Sequence, residues 1–190
     1  MESLMLSALW FLYFAFHSVL ASATVKSFFE KFLKNRFRFY RIVYSLISTV
    51  GLFLLLLFNA SIPSKSLFAS VGLVRYLSLM LATFGVIVIS RAFREYRFSA
   101  FVGLKQETYE FSQTGILKHI RHPIYSGTIL IVIGFFLFNP SLPTLISVSC
   151  ILVYLPVGIY FEERKLIKQF GDQYISYKKD VPSIFPRFKK

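Results

Sequence analysis

IYSGTILIVIGFFLFNPSLPTLISVSCILVYLPVGIY, residues 124–160, contains no charged side chain, and Asn139-Pro140-Ser141-Leu142-Pro143 sits inside it. A cluster of that kind is a turn signal rather than helix interior. The stretch therefore reads as a helical hairpin of two membrane spans. Upstream, residues 4–23 and 42–63 also lack Lys, Arg, Asp and Glu. Each supplies about 20 helical residues, the length that crosses the roughly 30 Å of a bilayer core. Residues 76–90 are uncharged and follow an apolar stretch broken only by Arg75, whose long side chain can snorkel to an interface. The expected fold is all-α: a polytopic membrane bundle of five transmembrane helices, with spans four and five forming the hairpin. Composition agrees, since a chain of 190 residues with 55% hydrophobic residues and mean hydropathy +0.60 is too apolar for one water-soluble domain.

The basic residues give the expected orientation. Of 22 Lys and Arg, six lie between spans one and two, six between residues 90 and 123, and eight after residue 160. Lys65 and Arg75 alone remain for the opposite side. Basic loops stay in the cytoplasm, so the N-terminus is expected outside and the C-terminus inside, in an integral, multi-pass protein of the cell membrane. The net charge of +13 is then mainly topological, with some attraction to anionic headgroups. Nucleic acid is excluded as a partner, because that reading needs a soluble basic face. Ala21-Ser22-Ala23 has the spacing of a signal-peptide cleavage site, but Glu2 and the lack of Lys or Arg before the apolar run favour a retained span. Cys150 stands alone, and His17, His119 and His122 have no metal-ligand spacing, so neither a disulfide framework nor a metal is expected.

No repeat or linker divides the chain, which reads as a single domain over residues 1–190 with its chemistry in about residues 91–190. The polar stretch from Arg91 to Pro123 keeps aromatic residues (Phe93, Tyr96, Phe98, Phe101, Tyr109 and Phe111) and is expected to fold as a cap over the bundle. After residue 160 an amphipathic helix begins, with Leu166, Ile167 and Phe170 on one side; Gly171 can end it in a left-handed cap. Tyr174 and Tyr177 read as interfacial belt residues. Two polar clusters meet the same membrane face: Arg121-His122-Pro123-Ile124-Tyr125-Ser126-Gly127 opens span four, and Glu162-Glu163 closes span five. Groups so costly to bury point to a ligand. The plainer alternatives are that Arg121 anchors the chain at the interface and that the two acids pair with Arg164 and Lys165 along the helix. His17, beside Ser18 within span one, reads as an interhelical hydrogen bond or a substrate contact.

RHPIYSG followed by EERKLIKQFGDQYISYKKDVPSIFP resembles the C-terminal half of the integral-membrane methyltransferases related to isoprenylcysteine carboxyl methyltransferase and phospholipid methyltransferases. FHSVLASATVK, FRFYRIVYSLIS and FVGLKQ are similar to a bacterial branch that includes membrane thiol methyltransferases and proteins named for denitrification clusters. The resemblance implies S-adenosylmethionine as methyl donor, with S-adenosylhomocysteine as product, held between spans four and five, the preceding loop and the C-terminal segment. It implies that Arg121 and His122 hold the donor carboxylate beside the helix start at Pro123, and that Glu162 and Glu163 pair with its ammonium and compensate the sulfonium. Tyr125 would supply a ring edge and Gly127 room for close approach, while Thr114 to Lys118, with Gly115, Leu117 and Lys118 among them, would offer backbone groups to the adenine. Arg121, His122 and Glu163 are the expected catalytic residues. Leu117 stands where many relatives carry a tyrosine, and Ser183 where many carry an arginine.

The expected function is methyl transfer to a lipophilic or small thiol or carboxyl acceptor at the cytoplasmic face, where alignment behind the sulfonium methyl supplies much of the rate. Two other readings stand beside it. Membrane sterol-type reductases share a similar FGxxYxxYxxxVP segment and use NADPH, and a non-catalytic accessory protein could keep the same fold. The acceptor and the oligomeric state are not legible in these spans.

Overall fold

The hairpin turns where its prolines require. Phe138 ends one helix and Leu142 begins the next, with Ser141 between as N-cap, its Oγ accepting from the Thr144 amide at 3.4 Å. Pro143 falls in the first turn of the second helix, where a missing N–H costs nothing. The computed structural model describes residues 1–95, 111 and 113–187. Among these the elements are α1 (Glu2–Ala21), α2 (Ala23–Leu33), α3 (Tyr40–Ser61), α4 (Leu73–Glu95), α5 (Pro123–Phe138), α6 (Leu142–Phe170) and α7 (Asp172–Asp180), with 3-10 turns at Lys34–Phe39 and Gly115–Lys118. Most of the expected cap lies outside the described residues, including Tyr96, Phe98, Phe101, Gln106 and Tyr109.

Helices α1, α3, α4 and α6 are long and apolar enough to cross a membrane, and α5 is a shorter apolar helix of 16 residues. At 1.5 Å per residue α5 reaches about 24 Å, less than a full bilayer core. Large apolar side chains such as Phe11, Phe53, Phe84 and Val153 stand exposed along the spans. In water these would be a liability, whereas lipid solvates them. The protein is an all-helical, multi-pass membrane bundle.

Two packing modes hold it. Helices α4 and α5 meet through small residues: a Cβ on Gly85 would lie 2.6 Å from the Gly127 carbonyl oxygen, and one on Gly134 would lie 2.7 Å from that of Ser78. Apolar burial gives little drive between helices in lipid, so close backbone approach supplies the contact. Helices α1, α3 and α6 pack instead around Leu6, Trp10 and Leu55. A polar chain crosses that group, with Trp10 Nε1 donating to Ser147 Oγ at 2.8 Å and Ser147 Oγ to Asn59 Oδ1 at 2.9 Å.

Two features depart from expectation. The basic interval after α1 is itself helical: Ser22 is extended and its Oγ accepts from the Val25 amide at 3.3 Å, starting α2. Finally, the expected amphipathic helix after residue 160 is not separate. Nothing after Pro156 breaks the helix before Gly171, and α6 runs as one rod of 29 residues, about 44 Å, whose residues 161–170 project beyond the apolar part at 142–160. Gly171 takes the expected positive φ of 55°, although its ψ of −131° is not that of a left-handed helical cap, and turns the chain into α7.

Candidate functional site

The turn at Gly171 sends α7 back toward the start of α5, and the segment after it pairs with the RHP motif. The Arg121 amide donates to the Pro182 carbonyl at 2.9 Å and the His122 amide to that of Ser183 at 3.0 Å. Ser126 Oγ adds a bond to the Ile184 carbonyl at 2.6 Å. Pro123 opens α5 and is fully buried, so this short ladder forms the floor of the site.

Arg121 and Glu163 join the two halves. Arg121 donates to Glu163 Oε1 through Nε at 3.1 Å and Nη2 at 2.7 Å, while Nη1 donates to the carbonyls of Lys178, at 2.8 Å, and Val181. Glu163 also contacts His122 Nε2 at 3.2 Å, and its Oε2 accepts from Lys178 Nζ at 2.5 Å. Burial pushes the Glu163 carboxyl upward, but hydrogen bonds from Lys178, Arg121 and His122 outweigh this and hold it at about 2, below the ordinary 4.5. An ionised carboxylate is stable here only because its oxygens are surrounded by donors.

Beside this closed pair lies an open one. The Glu162 side chain is 39% exposed, and its Oε2 stands 3.6 Å from His122 Nδ1. Among the described residues that nitrogen has no hydrogen-bond partner, although His122 is only 2% exposed. The same holds for the Tyr174 hydroxyl, on a residue 1% exposed. The Tyr125 ring stands across His122, 5.6 Å between centroids and nearly perpendicular, and its hydroxyl end packs on Gly158, one turn before Glu162. A Cβ at Gly158 would lie 3.1 Å from that hydroxyl, tighter than ordinary contact. The cluster therefore offers a carboxylate, an imidazole nitrogen and phenols, the donor and acceptor set of a cationic, hydrogen-bonding ligand.

The sequence-predicted residues divide accordingly. Arg121, His122, Tyr125, Glu162 and Glu163 come together. Gly127 is buried against Gly85 of α4, Leu117 is buried with its carbonyl accepting from Tyr177, and Lys118 is exposed. Gly115, at φ +51°, packs against Glu95, which accepts a hydrogen bond from Thr114 at 2.5 Å. Tyr174 and Tyr177 are not belt residues: both are buried beneath the site against Phe111, and burial pushes the Tyr177 phenol up to about 12. Lys178 and Ser126 were not foreseen. The reversal signalled by Gly171 was the available clue, since it returns residues 174–178 toward Glu163.

The model of the family described as NnrU protein matches residues 5–184. Methanethiol S-methyltransferase 2 of Bradyrhizobium diazoefficiens is 28% identical over 183 residues, which cover 90% of this chain and 68% of that protein. Methanethiol S-methyltransferase 1 of the same organism is 36% identical over 87 residues, 45% of this chain and 29% of that protein. The methanethiol S-methyltransferase of Crocosphaera subtropica is 29% identical over 79 residues, 40% of this chain and 29% of that protein. The chain thus spans under a third of two of these relatives. No solved structure matches it.

Proposed function

This chain belongs to the NnrU protein family, and from that premise and the geometry above we propose that it transfers a methyl group from S-adenosylmethionine to a small or lipophilic thiol at the cytoplasmic face of the membrane. The names of the three methanethiol S-methyltransferases support the reaction class and the thiol. The observation that carries the reading is the half-open pair formed by Glu162 Oε2 and His122 Nδ1, 3.6 Å apart. The Glu162 side chain is 39% exposed, and the buried ring nitrogen beside it has no hydrogen-bond partner among the described residues. An exposed carboxylate pairs with an ammonium or sulfonium cation and a partnerless ring nitrogen hydrogen-bonds to a ligand, so the residues fit the proposed donor.

When bound, the donor supplies a methyl carbon activated by attachment to a sulfonium. The chain's own groups bind and orient. Glu162 faces the cationic part, His122 Nδ1 hydrogen-bonds to it, Tyr125 brings a phenol beside Glu162, and Tyr174 supports the site from beneath. Arg121 and Glu163 act through their mutual bond, fastening residues 178–184 against the start of α5 so that His122 holds one orientation. This casts Arg121 as an anchor of the C-terminal segment. A methyl displacement needs alignment more than acid–base power, and a wall fixed by buried hydrogen bonds supplies it.

Calorimetric titration of purified protein in detergent with S-adenosylhomocysteine, with NADPH as the control ligand, tests the reading. Saturable binding of the former that is weakened by Glu162→Gln supports it, whereas binding of NADPH alone sinks it.

A further inference from the structure

The faces of α2 are sorted by chemistry. At 100° per residue, Val25, Phe28, Phe29, Phe32 and Leu33 fall within an arc of about 140°, and Thr24, Lys26, Ser27, Glu30 and Lys31 take the remainder. Part of the apolar arc is used inside the protein. Phe29 packs on the Tyr40 ring with 5.2 Å between centroids, and Phe37 of the following 3-10 turn stacks on the same ring at 5.5 Å. The other part faces outward, since Phe28 is 64% and Phe32 75% exposed. Cations flank it. Residues 23–41 hold six Lys or Arg against one acid, Glu30, and Lys31, Lys34 and Arg36 are exposed.

Neighbouring contacts fix the level of this helix. Trp10 meets Ser147 and Ser18 meets Tyr154, both at 2.8 Å, so α1 runs alongside α6 in the same direction. At 1.5 Å per residue Ala21 then stands about 8 Å short of the level of Glu162. Ser22, extended at φ −65° and ψ 149°, breaks the span there. Lys34, at φ 46°, reverses the chain, and the Tyr40 hydroxyl ties the return to the Leu20 carbonyl at 2.8 Å. Helix α2 thus leaves and returns at one boundary of the bundle, the one that carries the candidate site. Both adjoining spans present apolar side chains close to that boundary, Val19 on α1 and Val43 on α3, each more than half exposed. Lipid that solvates these spans therefore reaches α2 from either side.

We propose that α2 is a membrane-surface helix whose Phe28 and Phe32 seat in the acyl boundary while Lys31, Lys34 and Arg36 hold anionic phospholipid headgroups. Two phenylalanines one turn apart gain nothing in water, and an apolar stripe edged with basic residues is the pattern that lies in the interface plane. The long stems of Lys31 and Lys34 carry their charges up to phosphate level. Each cation near an anionic surface favours it over a zwitterionic one, so the helix selects the lipid that surrounds the site. This surface stands independently of the reaction.

The test uses the full chain in phosphatidylcholine vesicles, with Phe32→Trp as reporter and an equal mole fraction of either phosphatidylcholine or phosphatidylglycerol brominated on its acyl chains. Trp10 is fully buried, and its emission is subtracted with the unaltered protein. The new indole is expected to be quenched by both lipids, with an apparent association on the order of fivefold stronger for phosphatidylglycerol, the value of one basic residue at an anionic surface. Adding Lys31→Gln, Lys34→Gln and Arg36→Gln should bring the two lipids to parity with quenching retained. Phe28→Trp gives the same readout where Phe32→Trp folds poorly. An indole quenched by neither lipid would place water or a second copy of the chain on this face and overturn the assignment. Equal quenching by the two lipids before the basic residues are changed, or a preference that survives the triple substitution, would overturn it as well.

Discussion

Arg121 and Glu163, 42 residues apart in sequence, meet through two hydrogen bonds on one carboxylate oxygen, and both side chains are less than a tenth exposed. The same guanidinium reaches the carbonyls of Lys178 and Val181, so one side chain fastens α5, α6 and the C-terminal segment together. Removing one member of a buried pair leaves an uncompensated charge and costs about 3–5 kcal/mol. Arg121→Leu should therefore destabilise the protein by about that amount in detergent unfolding, while Arg121→Met with Glu163→Leu should recover part of the loss. A single variant within about 0.5 kcal/mol of the unaltered protein would show the pair to be incidental.

Acid should release the same segment. The Glu163 carboxyl is held at about 2, below the ordinary 4.5. Because its folded-state value is depressed, the stability contributed by its charge is full above about 4.5 and disappears as the pH falls toward about 2. Hydrogen exchange across residues 172–184 should accelerate through that window, and Glu163→Gln should exchange faster at neutral pH with that acid-dependent step missing.

The neighbouring acid behaves differently. Glu162 is partly open, and its contacts are His122 Nδ1 at 3.6 Å and the facing Tyr125. Glu162→Gln should weaken S-adenosylhomocysteine binding by about tenfold, roughly 1.4 kcal/mol, with unfolding changed by less than about 0.5 kcal/mol. Calorimetry and unfolding on one preparation separate the two quantities. If both fall together, Glu162 is structural.

Gly127 tests whether a motif glycine serves ligand or packing. A Cβ there would lie 2.5 Å from the Ile89 side chain and 2.6 Å from the Gly85 carbonyl oxygen. Gly127→Ala should cost about 1–3 kcal/mol through overpacking against α4. Homocysteine binding by the folded fraction should be unchanged, and reduced affinity at unaltered stability would return Gly127 to the ligand.

Residues 124–160 made the hairpin legible because absence of charge and a proline-flanked turn are both local signals; Asn139 to Pro143 turn as read. The clustering of Arg121, His122, Glu162 and Glu163 was legible too, since the two motifs flank the two ends of one uncharged hairpin, residues 124–160. Their partition into a closed Arg121–Glu163 pair and an open Glu162–His122 pair was not. That division depends on the rotation of α6, and adjacent residues on a helix point about 100° apart. Tyr174 and Tyr177 were read as belt residues because amphipathic aromatics favour interfaces; the reversal at Gly171 buries them instead. The small-residue seam of α4 and α5 needed the partner helix to be known: Gly85 is unremarkable in its own stretch, and Gly127 reads from its motif as room for a ligand, whereas it packs on Gly85.

The central claim is catalytic, and the most direct measurement is product formation. Purified protein in lipid vesicles would be given S-adenosylmethionine and a short alkyl thiol, with the methyl thioether quantified by gas chromatography and S-adenosylhomocysteine by liquid chromatography. The account predicts the two products in equal amounts, with formation abolished by Arg121→Leu and sharply reduced by Glu162→Gln. Tight binding of S-adenosylhomocysteine with no thioether from any thiol tested, or thioether formation indifferent to both substitutions, would contradict it.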